Sequence, residues 1–167
     1  MKIRQGFRPE EPTVRLCADS RHMCLVEDFS YISASGKIYT ARKGLRSDGG
    51  SIPPIFWPVI GSPWTGKRRR AYIIHDQLCA DLRQFIYQEK VDWFVVECLR
   101  KEADDLLYEM CMFLGDSNWS ARAVWLGVRA GWYVSRLKYK RAHRRVMSDE
   151  TEEENRGGES DRSDTIS

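Results

Sequence analysis

The residues best suited to chemistry fall in three places. His75-Asp76 follows an apolar run, Ala71-Tyr72-Ile73-Ile74. An imidazole serves as a general base or a metal ligand near neutral pH, and a neighbouring carboxylate can orient it or complete a cation site. Asp48 sits in Ser47-Asp48-Gly49-Gly50-Ser51, where two glycines can bring backbone N–H groups close to a ligand. Asp104 is bordered by Ala103 and Leu107 in an otherwise core-facing pattern. Convergence of Asp48, His75 and Asp104 would make a carboxylate–His–carboxylate cluster suited to a divalent metal or to activating water. We therefore take His75, Asp76 and Asp104 as the catalytic candidates, and Asp48, His75 and Asp104 as ligands of a divalent metal. Each has a plainer reading. His75 can be structural at a helix start, Asp48 can close an Asx-turn, and Asp104 can be a solvated acid paired with Lys101 or Arg100. Neighbours on a helix point about 100° apart, so His75 and Asp76 cannot aim at one atom, and their roles divide.

These residues need elements to hold them. Short alternating apolar positions, Val14 and Leu16, Cys24 and Val26, then Phe29, Tyr31 and Ile32, lead through the turn Ser33-Ala34-Ser35-Gly36-Lys37 to Ile38-Tyr39-Thr40. A period of two predicts a small antiparallel meander that delivers the chain to Asp48. Pro53, Pro54, Pro58 and Pro63 with Phe56, Trp57 and Trp64 make the next stretch an irregular aromatic loop packing over the site. The pattern then turns helical: 71–84 with Ile74, Leu78 and Leu82 on one stripe, 90–114 as one helix or as two that break at Arg100-Lys101-Glu102, and 120–145 with Ala121, Val124, Trp125, Val128, Trp132 and Leu137 inward. Arg122, Arg129 and Arg136 recur opposite that last stripe. The fold class is α+β: an N-terminal antiparallel meander, a proline-rich loop and three or four packed helices. We expect a mobile arm over 1–12, one globular domain over 13–146, and a disordered acidic tail over 147–167, where apolar side chains are too few to offset the entropy of ordering.

At 167 residues and 42% hydrophobic content the chain suits one domain with a core. Its formal charge of +3 hides basic clusters at Lys67-Arg68-Arg69-Arg70 and from Arg136 to Arg145, against the acidic C-terminus. No aromatic-interleaved RNA motif or recognition-helix signature accompanies them, so nucleic acid is not the expected partner. Five cysteines with no C-x-x-C pair suggest reduced thiols in a cytoplasmic protein. The N-terminus lacks the apolar core of a signal peptide, and no apolar run approaches the roughly 18 residues of a membrane span.

The order of these motifs carries a resemblance. Asp48-Gly49-Gly50-Ser51-Ile52-Pro53, then Ile74-His75-Asp76 opening a helix, then 102–110 (EADDLLYEM) and 123–132 (AVWLGVRAGW), resembles a phage and bacterial family, domain of unknown function 1353, over roughly 22–133. Ser47 stands where that family usually has threonine, and Gln77-Leu78-Cys79 where an aromatic-Leu-Tyr is usual. The layout of a His-Asp pair facing an aspartate on an antiparallel helix, after a glycine-rich loop, is also similar to that of the secreted phospholipase A2 family, in which calcium and the pair activate water; that family's disulfides and cysteine spacing are absent. The family resemblance brings no established activity with it and the second is an analogy of layout alone; the function expected from the His/Asp cluster is a phage-type hydrolase, metal-assisted, on an unassigned substrate. The competing expectation is a non-enzymatic virion or host-interaction protein, partnered by a phage or host protein, in which the same residues brace the fold.

Overall fold

The computed structural model describes residues 4–18, 22–47, 66–88 and 91–163. Asp48 and the proline-rich loop lie outside the described residues. Among the described residues six short strands precede three helices: β1 Gly6–Arg8, β2 Val14–Leu16, β3 Met23–Leu25, β4 Phe29–Ile32, β5 Ile38–Ala41, β6 Arg46–Ser47, α1 Arg69–Gln88, α2 Trp93–Phe113 and α3 Asn118–Ser163. The α+β class holds, with three helices.

The strands form two antiparallel sheets in place of one meander, ordered β1-β4-β5 and β2-β3-β6. In the first, Phe7 faces Tyr31 and Phe29 faces Ala41. All four are buried, which explains why Gly6–Arg8, expected in a mobile arm, forms a strand instead: Phe7 stacks on the Phe29 ring at 5.5 Å and supplies a face the sheet would otherwise lack. In the second sheet the β3–β6 pairing continues at Leu25, whose N–H donates to Leu45 O and whose carbonyl accepts from Gly44 N. Gly44 has φ +88°, so the chain reverses there at a position where a β-carbon would be strained.

Cys17 and Cys24 are joined by a disulfide across the β2–β3 hairpin, which corrects the expectation of five reduced thiols. Antiparallel pairing of Arg15 with Cys24 and Leu16 with Met23 brings the two Cα atoms to 5.5 Å. Cys79, Cys98 and Cys111 are free.

The buried sheet face packs on all three helices. Phe29, Tyr31 and Ala41 share a core with Ala71, Tyr72 and Ile74 of α1, Leu107, Met110 and Cys111 of α2, and Ala121, Val124 and Val128 of α3. A second cluster joins Leu82, Ile86, Val96 and Trp132. Early α1 therefore meets late α2, and late α1 meets early α2, so the two helices run antiparallel.

Helix α1 extends past the expected end at Gln84 because Ile86 enters that second cluster. Asp92 caps α2 by accepting from Phe94 N at 2.7 Å. The alternative break at Arg100-Lys101-Glu102 does not occur, since each charge finds a partner from a regular helix: Arg100 with Asp104, Lys101 with Asp105, and Glu102 with Lys37 and Tyr39. Gly115, at φ +80°, ends α2 while Asp116 N donates to Cys111 O, and Ser117 opens α3 by accepting from Ser120 N at 3.2 Å. Helical backbone continues to Ser163, so the compositional boundary at 147 falls inside α3. Among the described residues no helix is long and apolar enough to cross a membrane.

Candidate functional site

The antiparallel packing of α1 on α2 brings His75 and Asp104 into contact. Both are interior, 4% and 0% exposed, and His75 Nε2 lies 2.8 Å from Asp104 Oδ1. Asp104 is thus no solvated surface acid. Arg100, one turn earlier on α2, grips the carboxylate at two points, Nη2 to Oδ1 at 3.0 Å and Nε to Oδ2 at 3.1 Å. Arg129 from α3 adds Nη1 to Oδ2 at 3.3 Å. This corrects the expectation that Arg129 lies opposite the inward stripe: its side chain is only 13% exposed and turns toward Asp104.

The thiol of Cys79 completes the cluster. One helical turn after His75, its Sγ lies 3.8 Å from both Nδ1 and Nε2 of the imidazole and accepts from Arg100 Nη1 at 2.9 Å. Arg100 also donates to Val128 O and stacks on Trp132, 5.5 Å from the ring centre. Trp132 is itself fixed, with its Nε1 donating to Glu97 at 2.9 Å and its ring stacked between Trp93 and Tyr139. The guanidinium beside the thiol is therefore held from four sides, which pre-orients it.

Asp76 points elsewhere. Its carboxylate accepts from the buried Ser47 hydroxyl at 2.5 Å, tying α1 to the end of β6. The neighbouring Gln77 does similar work, accepting from Arg42 N and donating to Asp81. The structure thus unites His75 with Asp104, sends Asp76 toward Ser47, and leaves Asp48 outside the described residues. A cavity of about 390 Å³ opens along this cluster, lined by His75, Asp76, Cys79 and Arg100 together with Arg46, Arg83, Leu82, Ile86, Trp132 and Tyr139. Its size lies within the range of small-molecule sites.

The charges in the cluster shift one another. Burial pushes the Asp104 carboxyl up, but the His75 hydrogen bond and the Arg100 charge outweigh it and hold it below the ordinary carboxylate range. Burial opposes charge on His75 as well, yet the neighbouring Cys79 thiolate and the bond to Asp104 prevail, and the imidazole is pushed up to about 10. For Cys79, burial raises the thiol and the His75 cation lowers it further, leaving it below the usual thiol value. Two guanidiniums against the Asp104 carboxylate leave one positive charge over within that clamp, and Asp76, whose charge also reaches Cys79, opposes it.

His75 and Asp104 do not fit the expected divalent cation. A carboxylate offers about four lone-pair positions, and those of Asp104 are engaged by His75, by Arg100 twice and by Arg129. A cation placed there would also face two buried guanidiniums. Among the described residues no group of three His, Cys, Asp or Glu side chains is arranged to hold a metal ion.

Sequence reasoning missed Cys79, Arg100 and Arg129 as members of the site. The signal for the first two was a spacing of four, Cys79 after His75 and Arg100 before Asp104, which places each on the same helical face as its partner. Arg129 gave no local signal. The basic run at 67–70 proved largely internal to the fold: Arg68 binds Asp116 and Ser120, while Arg69 and Arg70 meet Glu11.

Comparison with known proteins places this geometry in context. The chain is 37% identical over 78 residues to an uncharacterised protein, y4iH, of Sinorhizobium fredii (strain NBRC 101917 / NGR234), covering 47% of this chain and 33% of that one. It is 42% identical over 55 residues to a second uncharacterised protein of the same strain, y4jT, covering 33% and 16%. The chain thus spans a third or less of the length of these relatives. No solved structure matches it. Residues 23–128, which run from β3 into α3 and include His75, Cys79, Arg100 and Asp104, match the family described as protein of unknown function DUF1353, and the chain belongs to that family.

Proposed function

We propose that the chain is a hydrolase whose proton-handling group is His75, oriented by Asp104, acting on a substrate bound in the cavity between α1, α2 and α3. The observation that carries this reading is the His75–Asp104 pair at the wall of a cavity: an imidazole fixed through one nitrogen, with its other nitrogen left to exchange a proton. The full engagement of Asp104 supports an orienting role for it and leaves proton transfer to the ring. Asp76 contributes by tying the β6 end to α1 at the cavity wall.

A second reading is favoured by one specific observation. Asp104 joins α1, α2 and α3 through His75, Arg100 and Arg129, as a brace in a non-enzymatic protein would. His75→Gln separates the two, because glutamine can still donate to Asp104 but cannot cycle a proton. Hydrolysis of a panel of p-nitrophenyl esters, with neutral and anionic acyl groups, should be measurable for the wild type. It should fall about 10²–10⁴-fold in His75→Gln with the fold retained. Turnover by neither protein across the panel, together with a destabilised variant, would favour the brace.

A further inference from the structure

The Cys79 thiol is the reactive-looking group that the sequence motifs leave unused. Its Sγ stands beside the His75 ring and the Arg100 guanidinium, on the wall of the same cavity. A thiol, an imidazole and a carboxylate in that succession are the parts of a nucleophile, its proton partner and the group that orients the partner. We propose that Cys79 is the covalent nucleophile of the site, with His75 as its acid and base and Asp104 as the positioning residue, and that the substrate is an anionic acyl ester or thioester. This inference rests on the hydrolase reading above and names the reacting atom within it.

The chemistry closes without any further reagent than water. The Sγ thiolate attacks the acyl carbon, forming a C–S bond, and the bond to the alcohol or thiol leaving group breaks as that group takes a proton from His75 Nδ1. Water then attacks the thioester, giving its proton to Nδ1 while the carbonyl carbon releases Sγ. The carboxylic acid product departs, and the thiolate–imidazolium pair is restored. Nε2 stays bonded to Asp104 throughout. Arg100, 2.9 Å from Sγ, lies where charge would develop on the carbonyl oxygen of an acyl group attached to that sulfur.

The lining supports the substrate class. Leu82, Ile86 and Trp132 offer apolar surface to an acyl chain, while Arg83 and Arg100 on the same wall outnumber the one lining carboxylate, Asp76. Anionic substrates are therefore favoured over neutral ones of the same length.

The three free thiols provide an internal comparison. Near pH 6.5 an ordinary thiol is about 1% ionised, and the lower intrinsic nucleophilicity of an acidic thiolate gives back part of the gain. Iodoacetamide should therefore alkylate Cys79 about ten-fold faster than the exposed Cys98, read by peptide mass spectrometry on the wild-type protein. Brief exposure to p-nitrophenyl acetate followed by acid quench should leave an acetyl group on Cys79. Cys79→Ala should lose both turnover and acylation, and Cys98→Ala should keep both. Alkylation of Cys79 no faster than that of Cys98 overturns the proposal. Turnover by Cys79→Ala at the wild-type rate overturns it too, while leaving His75 to activate water and the hydrolase reading intact. Absence of wild-type turnover removes both together.

Discussion

Asp104→Asn tests the heart of the cluster without changing its shape. The wild-type carboxylate is fully buried and pairs with both Arg100 and Arg129, whose side chains are only 12% and 13% exposed. The amide keeps one oxygen and replaces the other with a donor, which would face guanidinium or imidazole donors. Removing one partner of a buried ion pair costs about 3–5 kcal/mol, because the remaining charge stays uncompensated. That is a large share of the roughly 5–15 kcal/mol typical of a domain. It corresponds to a fall in the thermal midpoint of about 6–20 °C for a chain of this size. Urea denaturation followed by tryptophan fluorescence and circular dichroism reads the change, with equal slopes required for a valid comparison. The double variant Asp104→Asn/Arg129→Met should lose less than the two single variants together, by about 1–3 kcal/mol, since each removes what the other strands. A loss below about 1 kcal/mol for Asp104→Asn, with additive behaviour in the double variant, would refute the charge clamp and with it the fixed orientation of His75.

Other expected outcomes follow from the same structure. The Asp104 carboxyl is depressed in the folded chain, so its contribution is present above the ordinary carboxylate value of about 3.9 and is lost as pH falls through the folded value; the gap between wild type and Asp104→Asn should narrow in acid. His75 is raised, so its share is complete below about 6.5 and is lost as pH rises through about 10; denaturation midpoints of wild type and His75→Gln should converge across that interval. The Cys17–Cys24 bridge closes a separation of 7 residues, for which chain entropy gives roughly 2–3 kcal/mol, so Cys17→Ser/Cys24→Ser should lower the midpoint by several degrees and make it insensitive to reductant. An unchanged midpoint would show that the hairpin holds without it. Deleting residues after Met147 should leave the midpoint within about a degree of wild type while lowering the helical signal, because the removed segment is almost without apolar side chains. A drop of several degrees would show that it docks.

What the sequence made legible follows from the range of each interaction. The helices announced themselves through apolar steps of three and four, and the strands through alternation, because both signals are local. His75 and Asp104 were recognisable as residue types out of place: a titratable ring after four apolar or aromatic positions, and a carboxylate between core positions. Their pairing at a separation of 29 residues is a tertiary fact, fixed by the antiparallel packing of α1 on α2. The division of one meander into two sheets was hidden for the same reason. It depends on Phe7, an apolar residue in a mostly polar arm, finding Phe29 and Tyr31 across the chain. The cysteine count misled because a hairpin register, and no motif, brings Cys17 to Cys24.

The same distinction bears on the site's chemistry. A cluster of acids around histidine suggests a cation as long as the acids are taken to be free; the spacing of four offers Arg100 as a partner for Asp104, but nothing local shows that Arg129 joins it. With those guanidiniums in place, the oxygens of Asp104 are already engaged, and the carboxylate stands beside a thiol drawn toward its anion. Cys79, at the position where the resembled pattern carries tyrosine, is the nucleophile of the proposal above. Placing tyrosine there gives that argument a direct consequence: Cys79→Tyr should keep the His75–Asp104 pair and the fold, yet lose covalent acylation. Turnover surviving in that variant would mean that the pair alone runs the chemistry, with water as the attacking group.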